Sequence, residues 1–134
     1  MINSAEEFVD LRTSERPEEY LRAASESAPL GVWFDVVERY PEMREWVAQN
    51  KTVPIEVLGQ LAMDVDPRVR FAVAMKNKLN RDLMLLLAKD SDPSVRERIA
   101  YNKNVSDEVL QLLAQDSVIS VSDAARQQLS LRGI

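Results

Sequence analysis

The chain of 134 residues contains no cysteine and no histidine, and only 6% of its residues are aromatic. Without cysteine it has no disulfide, no thiolate nucleophile and no cysteine-bound zinc or iron–sulfur site, which is typical of proteins of a reducing compartment. Without histidine it lacks the commonest general base and metal ligand. We therefore expect a protein that is not an enzyme, with no catalytic residues, no cofactor and no metal.

Long apolar runs are also missing. The first ten residues lack the basic start and the apolar stretch of a signal peptide, and no window approaches the ~18 apolar residues of a membrane span. We therefore expect a cytoplasmic protein that does not contact a membrane.

The net charge of −5 is unevenly distributed. Residues 1–27 carry seven acids against three bases, whereas residues 53–104 carry seven acids against nine bases. Nucleic-acid binding normally requires a clustered basic surface, so we expect no nucleic-acid partner. We also expect no small-molecule substrate.

The chain does contain an internal repeat with a period of 26 residues. Three copies begin at Val53, Leu79 and Val105 and align without a gap, and a looser copy occupies residues 28–52. Equivalent positions hold the same kinds of residue: Leu58, Met84 and Leu110; Leu61, Leu87 and Leu113; Asp64, Asp90 and Asp116; Val69, Val95 and Val121. Such a period is the sequence signature of stacked repeats.

Each copy is expected to form two short helices. In the first, from about Pro54 to Met63, one helical face is apolar; the stripe comprises Val57, Leu58, Leu61, Ala62 and Val65. Asp66-Pro67 then supplies an N-cap and a first-turn proline for the second helix. The Asn-Lys pairs at 50–51, 77–78 and 102–103 are expected in turns that lead to the next copy.

Residues 1–27 lie outside the repeat and are expected to form two acidic helices. Ser4 and Glu7 have the spacing of a capping box at the start of the first, and the second is expected to begin near Pro17. Because helices this short are marginal alone, stability must come from stacking one pair on the next.

The pattern Leu-x-x-Leu-Ala-x-Asp-x-Asp-Pro-x-Val-Arg, followed by Val/Ile-Ala-x-x-Lys/Asn, resembles the bacterial leucine-rich repeat variant, a relative of HEAT-like repeats. The resemblance covers residues 53–129 well and 28–52 loosely. It implies an all-α, right-handed α-solenoid of about four two-helix repeats, in which one helix of each pair can be 3₁₀. The founding type of that family is associated with an iron–sulfur cluster on an added cysteine-bearing segment. Nothing in this chain matches that segment, so the resemblance does not imply a cluster here.

On this interpretation residues 1–134 form a single domain. Its parts are an N-terminal helical cap at 1–27, the divergent repeat at 28–52, and the repeats 53–78, 79–104 and 105–134, the last of which acts as the C-terminal cap.

Charged residues of the repeat are expected to be structural. An acid in the turn and an arginine on the second helix, such as Asp64 with Arg70 or Asp90 with Arg96, can tie neighbouring turns together by charge-assisted hydrogen bonds. Trp33 and Trp46 replace smaller residues of the repeat, and we expect them to thicken the junction with the amino-terminal helices.

The candidate partner-binding residues are apolar ones at positions where other copies are polar. Phe71 corresponds to Glu45, Glu97 and Asp123, and Met75 corresponds to Gln49, Tyr101 and Gln127. Aromatic and methionine side chains with flanking arginines are favoured at interface centres. This combination is present in Phe71, Met75 and Tyr101 with the flanking Arg68 and Arg98. The alternative is that they pack on neighbouring second helices. Phe34, beside the main stripe of its copy, is a further candidate for an exposed aromatic contact.

These features favour a non-enzymatic protein–protein interaction module. Small, acidic bacterial proteins of this repeat type resemble immunity proteins, which neutralise a toxin by occupying its surface, and the acidic first 27 residues would suit a basic toxin domain. The alternatives are a HEAT-like nucleic-acid-processing enzyme and a scaffold for several partners.

Overall fold

The computed structural model describes all 134 residues and is entirely helical, which confirms the predicted all-α class. Its helices are α1 (Ala5–Thr13), α2 (Pro17–Ser25), α3 (Leu30–Arg39), a 3₁₀ turn (Pro41–Met43), α4 (Arg44–Gln49), α5 (Ile55–Leu61), α6 (Pro67–Ala74), α7 (Arg81–Ala88), α8 (Pro93–Ala100), α9 (Asp107–Leu113) and α10 (Ile119–Leu131). None of them combines the length and the apolar character needed to cross a membrane.

Local capping chemistry starts several helices where the sequence predicts. The hydroxyl of Ser4 accepts a hydrogen bond from the amide of Glu7 at 3.0 Å, and α2 begins at Pro17. Asp66 accepts from the amide of Arg68 at 2.9 Å, and Asp92 makes the same 2.9 Å contact with Ser94. Each aspartate satisfies an amide that the first turn leaves unpaired.

The first helix of the repeat is shorter than predicted, and one residue of its apolar stripe is misplaced. Helix α5 ends at Leu61, and the carboxylate of Asp64 then accepts from the amide of Asp66 at 2.9 Å, which forms the turn. Val65 lies in this turn and is 90% exposed. The prediction for Val65 is therefore wrong, because the periodicity continues past the residue at which the helix ends.

The contacts divide the chain into two compact units, Met1–Met63 and Asp64–Ile134. In the first unit, α1 packs on α2 and α3, and α3 packs on α4 and α5. Trp33 is fully buried, and the ring of Phe8 meets it edge-on with centroids 5.4 Å apart. This confirms that a tryptophan of the divergent copy packs against an amino-terminal helix. Its indole nitrogen has no hydrogen-bond partner.

In the second unit, α7 pairs with α8 and α9 pairs with α10. Helix α8 also packs on α6 and α10, and α7 packs on α9. The interior is formed by fully buried aliphatic side chains such as Leu87, Val95, Ile99 and Leu110.

Two arginine–aspartate pairs with the same geometry join successive turns of the second unit. Arg70 donates to both carboxylate oxygens of Asp90, at 2.8 and 3.1 Å, and Arg96 does so to Asp116, at 2.7 and 3.1 Å. Each arginine also donates to the carbonyl oxygen six residues before it, at 2.7 Å. The predicted structural role of these arginines is thus confirmed for Arg70 and Arg96, whose carboxylate partner lies in the following copy.

Buried asparagines bridge segments about one repeat apart. The side-chain amide of Asn102 donates to the carbonyls of Ala74 and Lys76 at 3.1 and 2.7 Å, and that of Asn50 donates to Ala23 and Glu26 at 2.8 and 3.1 Å. Both asparagines belong to the Asn-Lys pairs expected in turns, and that pattern alone does not indicate this role. With a spacing of 26, the equivalent residue of the intervening copy is Lys76, where burial lowers the pKa of the ammonium group.

Candidate functional site

The candidate contact surface of the second unit, here called the apolar–basic patch, comprises Phe71, Met75, Tyr101, Arg68 and Arg98. Met75 directly follows α6 and Tyr101 directly follows α8, and these two helices pack against each other. Met75 is 48% exposed and Tyr101 is 44% exposed. The helices thus carry two large side chains at equivalent positions that are nearly half accessible to solvent.

The remaining patch residues are unequal in accessibility. Phe71 is half-buried one turn before Met75, whose amide donates to the Phe71 carbonyl at 3.1 Å. The side chain of Arg68 is 79% exposed and forms an ion pair with Asp66 at 3.0 Å, whereas Arg98 is half-buried. Phe71 and Arg98 therefore have part of their surface committed to packing.

Phe34 lies on α3 in the first compact unit and is half-buried. It lines a shallow groove together with Asn3, Ser4, Asp35 and Glu38. The surroundings of Phe34 are polar and acidic, unlike those of the patch in the second unit.

Sequence reasoning missed a second pair of exposed apolar residues, here called the first-helix leucine pair. Leu86 on α7 is 44% exposed, and Leu112 on α9 is 42% exposed. The two residues are 26 apart and their helices pack together. Comparison of the copies could have identified this pair, because these two copies have leucine at the position where the first copy has Gln60.

A groove in the first unit was also missed. Trp46, expected to pack at the junction with the amino-terminal helices, is only half-buried. The guanidinium carbon of Arg12 lies 3.5 Å from its ring centroid, within the range of a cation–π contact. Tyr20 and Leu21 contribute to the same groove.

The resolved pKa shifts of the carboxyl groups are all downward and arise from hydrogen bonding. Arg22 and the amino terminus lower the pKa of Glu26 to about 2, and the side chain of Arg96 lowers the pKa of Asp116. A general acid at neutral pH requires the opposite shift. No group of three or more histidine, cysteine, aspartate or glutamate residues is arranged to hold a metal ion. The carboxyl groups with resolved shifts are thus held in the ionised form by the hydrogen bonds that they accept.

Comparison of the chain with models of protein families, with curated proteins and with solved structures gave no match.

Proposed function

We propose that this chain is a non-enzymatic protein–protein interaction module of the immunity type, which binds a basic toxin domain and neutralises it by occupying its surface. The observation that supports this proposal best is the apolar–basic patch. Met75 and Tyr101 follow two helices that pack against each other, and nearly half of each side chain is exposed; Arg68 lies on the first of these helices and Arg98 on the second. Aromatic, methionine and arginine side chains are enriched where protein interfaces are fully buried.

The distribution of charge supports a basic partner. Residues 1–63 carry 12 acids and 6 bases, a net charge of −6, whereas residues 64–134 carry 10 acids and 11 bases, a net charge of +1. The two values sum to the −5 of the whole chain. An excess of one sign on one unit raises the association rate of an oppositely charged partner. The acidic unit would steer the partner, and the apolar–basic patch would hold it.

The architecture that we propose for this module is a right-handed α-solenoid of the leucine-rich repeat variant or HEAT-like type. Its support is the recurrence of one contact at the repeat spacing, the arginine–aspartate pairs of Arg70 and Arg96 in the second unit. The buried amide of Asn102 adds a link between segments about one repeat apart. In such an array each repeat contacts its neighbours and together they present an extended surface for a partner.

The proposal is tested by affinity capture from the host lysate with two matched double variants. Met75→Glu/Tyr101→Glu places charge in the patch, and Leu86→Glu/Leu112→Glu places the same charge on the first-helix leucine pair, at nearly equal exposure. We expect wild type and the leucine-pair variant to retain one stoichiometric basic protein, and the patch variant to lose it. Loss with the leucine-pair variant alone would show that the partner contacts the first-helix leucine pair and not the patch.

The two alternative functions predict different results for the same purified proteins. A nucleic-acid-processing enzyme would retard duplex DNA in an electrophoretic shift assay at low salt, because phosphate contacts strengthen as salt is lowered. A scaffold would capture several proteins that the patch variant releases independently. We expect no retardation and a single partner.

A further inference from the structure

The strongest feature outside the patch is a cavity of 430 Å³ in the first compact unit. Helices α1, α2 and α4 form it, and it is lined by Arg12, Tyr20, Leu21, Ala24, Trp46 and Gln49, among others. The volume lies within the range of small-molecule sites in proteins. Most of the lining is apolar, which suits a ligand with an apolar body.

The walls of this cavity are held together by hydrogen bonds between the ends of α2 and α4. The side-chain amide of Asn50 donates to the carbonyl of Ala23 at 2.8 Å, and the amide of Lys51 donates to the carbonyl of Ala24 at 2.9 Å. Asn50 and Ala23 are both buried. The cavity is therefore formed before any ligand arrives, which lowers the entropic cost of binding.

Arg12 is the sole charged group that lines the cavity. Its guanidinium stacks over Trp46 at 3.5 Å and forms no hydrogen bond or ion pair with the rest of the chain. Stacking fixes the plane of the guanidinium and leaves its donors available to a bidentate acceptor. The neighbouring Tyr20 hydroxyl and Gln49 amide also have no partner within the chain.

We propose that this cavity binds a small aromatic carboxylate, with the carboxylate on Arg12 and the aromatic ring against Tyr20, Leu21 and Trp46. A planar carboxylate matches the fork of donors that a guanidinium presents. The cavity has one cationic group and apolar walls, so a single negative charge on an apolar body is the complementary chemistry. The site binds a ligand without transforming it, and it is independent of the protein-binding function proposed for the second unit.

The test is a titration followed in two-dimensional amide NMR spectra, with naphthylacetate as the probe and its neutral amide, naphthylacetamide, as the matched ligand. The two tryptophans give separate indole signals: Trp46 lines the cavity, whereas Trp33 is fully buried and serves as an internal reference. We expect naphthylacetate to shift the indole signal of Trp46 and the amide of Ala24 saturably, with Trp33 unmoved.

The contribution of charge is tested in two ways. Naphthylacetamide should bind wild type at least about tenfold more weakly, since it cannot form the charge-assisted pair with Arg12. Arg12→Gln should weaken naphthylacetate to the same degree and leave naphthylacetamide unchanged. Arg126→Gln is the control, because Arg126 is an exposed arginine on α10 in the other unit.

Three results would overturn the proposal. The first is equal affinity of wild type for the carboxylate and the amide, which would reduce the cavity to a non-specific apolar groove. The second is unchanged binding of naphthylacetate by a folded Arg12→Gln variant. The third is the absence of saturable shifts at Trp46 up to millimolar ligand. The comparison of naphthylacetate with naphthylacetamide is made on wild type, so it tests the proposal even if Arg12→Gln does not fold.

Discussion

Replacing Arg96 by alanine should destabilise the protein far more than replacing an arginine that is paired at the surface. Arg96 donates two hydrogen bonds to Asp116, at 2.7 and 3.1 Å, and a third to the carbonyl of Asp90 at 2.7 Å. Its side chain is 14% exposed and that of Asp116 is 11% exposed. After the substitution, Asp116 would keep one bond, from the amide of Val118 at 2.9 Å.

The expected loss follows from these contacts. Removing one partner of a buried ion pair costs about 3–5 kcal/mol, and a hydrogen bond to a charged group contributes about 1.5–3 kcal/mol. Because both side chains of this pair retain some contact with water, we expect Arg96→Ala to lower the free energy of unfolding by about 2–4 kcal/mol. The urea midpoint should then fall by roughly 1–2 M.

Arg81 with Glu108 provides the matched control. A single guanidinium nitrogen of Arg81 donates to both carboxylate oxygens of Glu108, at 2.8 and 3.1 Å, and the two side chains are 64% and 60% exposed. Arg81→Ala should therefore cost no more than about 0.5 kcal/mol. Urea unfolding followed by far-ultraviolet circular dichroism measures both losses. Equal losses for Arg81→Ala and Arg96→Ala would refute the argument that burial gives the inner pair its strength.

The coupling between Arg96 and Asp116 should also disappear in acid. The pairing lowers the folded-state pKa of Asp116, so its stabilising effect is complete above the unfolded-state pKa of about 3.9. The effect is lost as pH falls through the lower, folded-state value. A double-mutant cycle of Arg96→Ala with Asp116→Asn should give a coupling energy at pH 7 that declines steadily below about pH 4. A coupling energy that does not change with pH would contradict this assignment.

Three further predictions concern single positions. Asn102→Ala should lower the free energy of unfolding by about 2–3 kcal/mol, because it leaves two carbonyls without their donor; a loss within experimental error in urea unfolding would contradict this. Since burial lowers the folded-state pKa of Lys76, the unfolded chain binds its proton more tightly, and stability should rise as pH increases from the folded-state pKa towards the ordinary lysine pKa of about 10.4. Lys76→Gln should reduce this increase of stability with pH. An equal increase in the variant would show that another group causes it. Val65→Ser should change the free energy of unfolding by no more than about 0.5 kcal/mol, because Val65 is 90% exposed. A large loss in urea unfolding would show that Val65 contributes to the core.

The sequence predicts the helix starts well because their chemistry is local. A cap such as Asp66 acts on an amide two residues away, so the signal and its effect lie in the same short segment. The end of the preceding helix is harder to predict, since the apolar period continues through Val65 while a side-chain hydrogen bond of Asp64 forms a turn. The apolar periodicity alone therefore does not predict that the helix ends before Val65.

Contacts between copies are only partly predictable. The composition of the turns identifies Arg70 as a structural arginine, but its carboxylate partner, Asp90, lies 20 residues away and depends on how the helices stack. The exposure of Met75 and Tyr101 agrees with the repeat comparison that singled them out, whereas the half-burial of Phe71 depends on packing. The leucines at 86 and 112 could have been found by the same comparison.

The cavity at Arg12 could not be predicted from the repeat. Most of its lining residues, including Arg12, come from two helices outside the repeat, so they have no equivalent positions with which to compare them. Trp46 is larger than the equivalent residues of the repeat, but the arginine that contacts its ring is 34 residues earlier in the chain. Only packing brings the two together.

The most direct test of the central claim is the affinity of the captured partner for wild type and for Met75→Glu/Tyr101→Glu, measured by calorimetry with both proteins folded. If the apolar–basic patch is the contact surface, the variant should lose at least about 2 kcal/mol of binding free energy, roughly 30-fold in Kd, while Leu86→Glu/Leu112→Glu stays within twofold of wild type. An unchanged Kd for a folded patch variant would contradict the account.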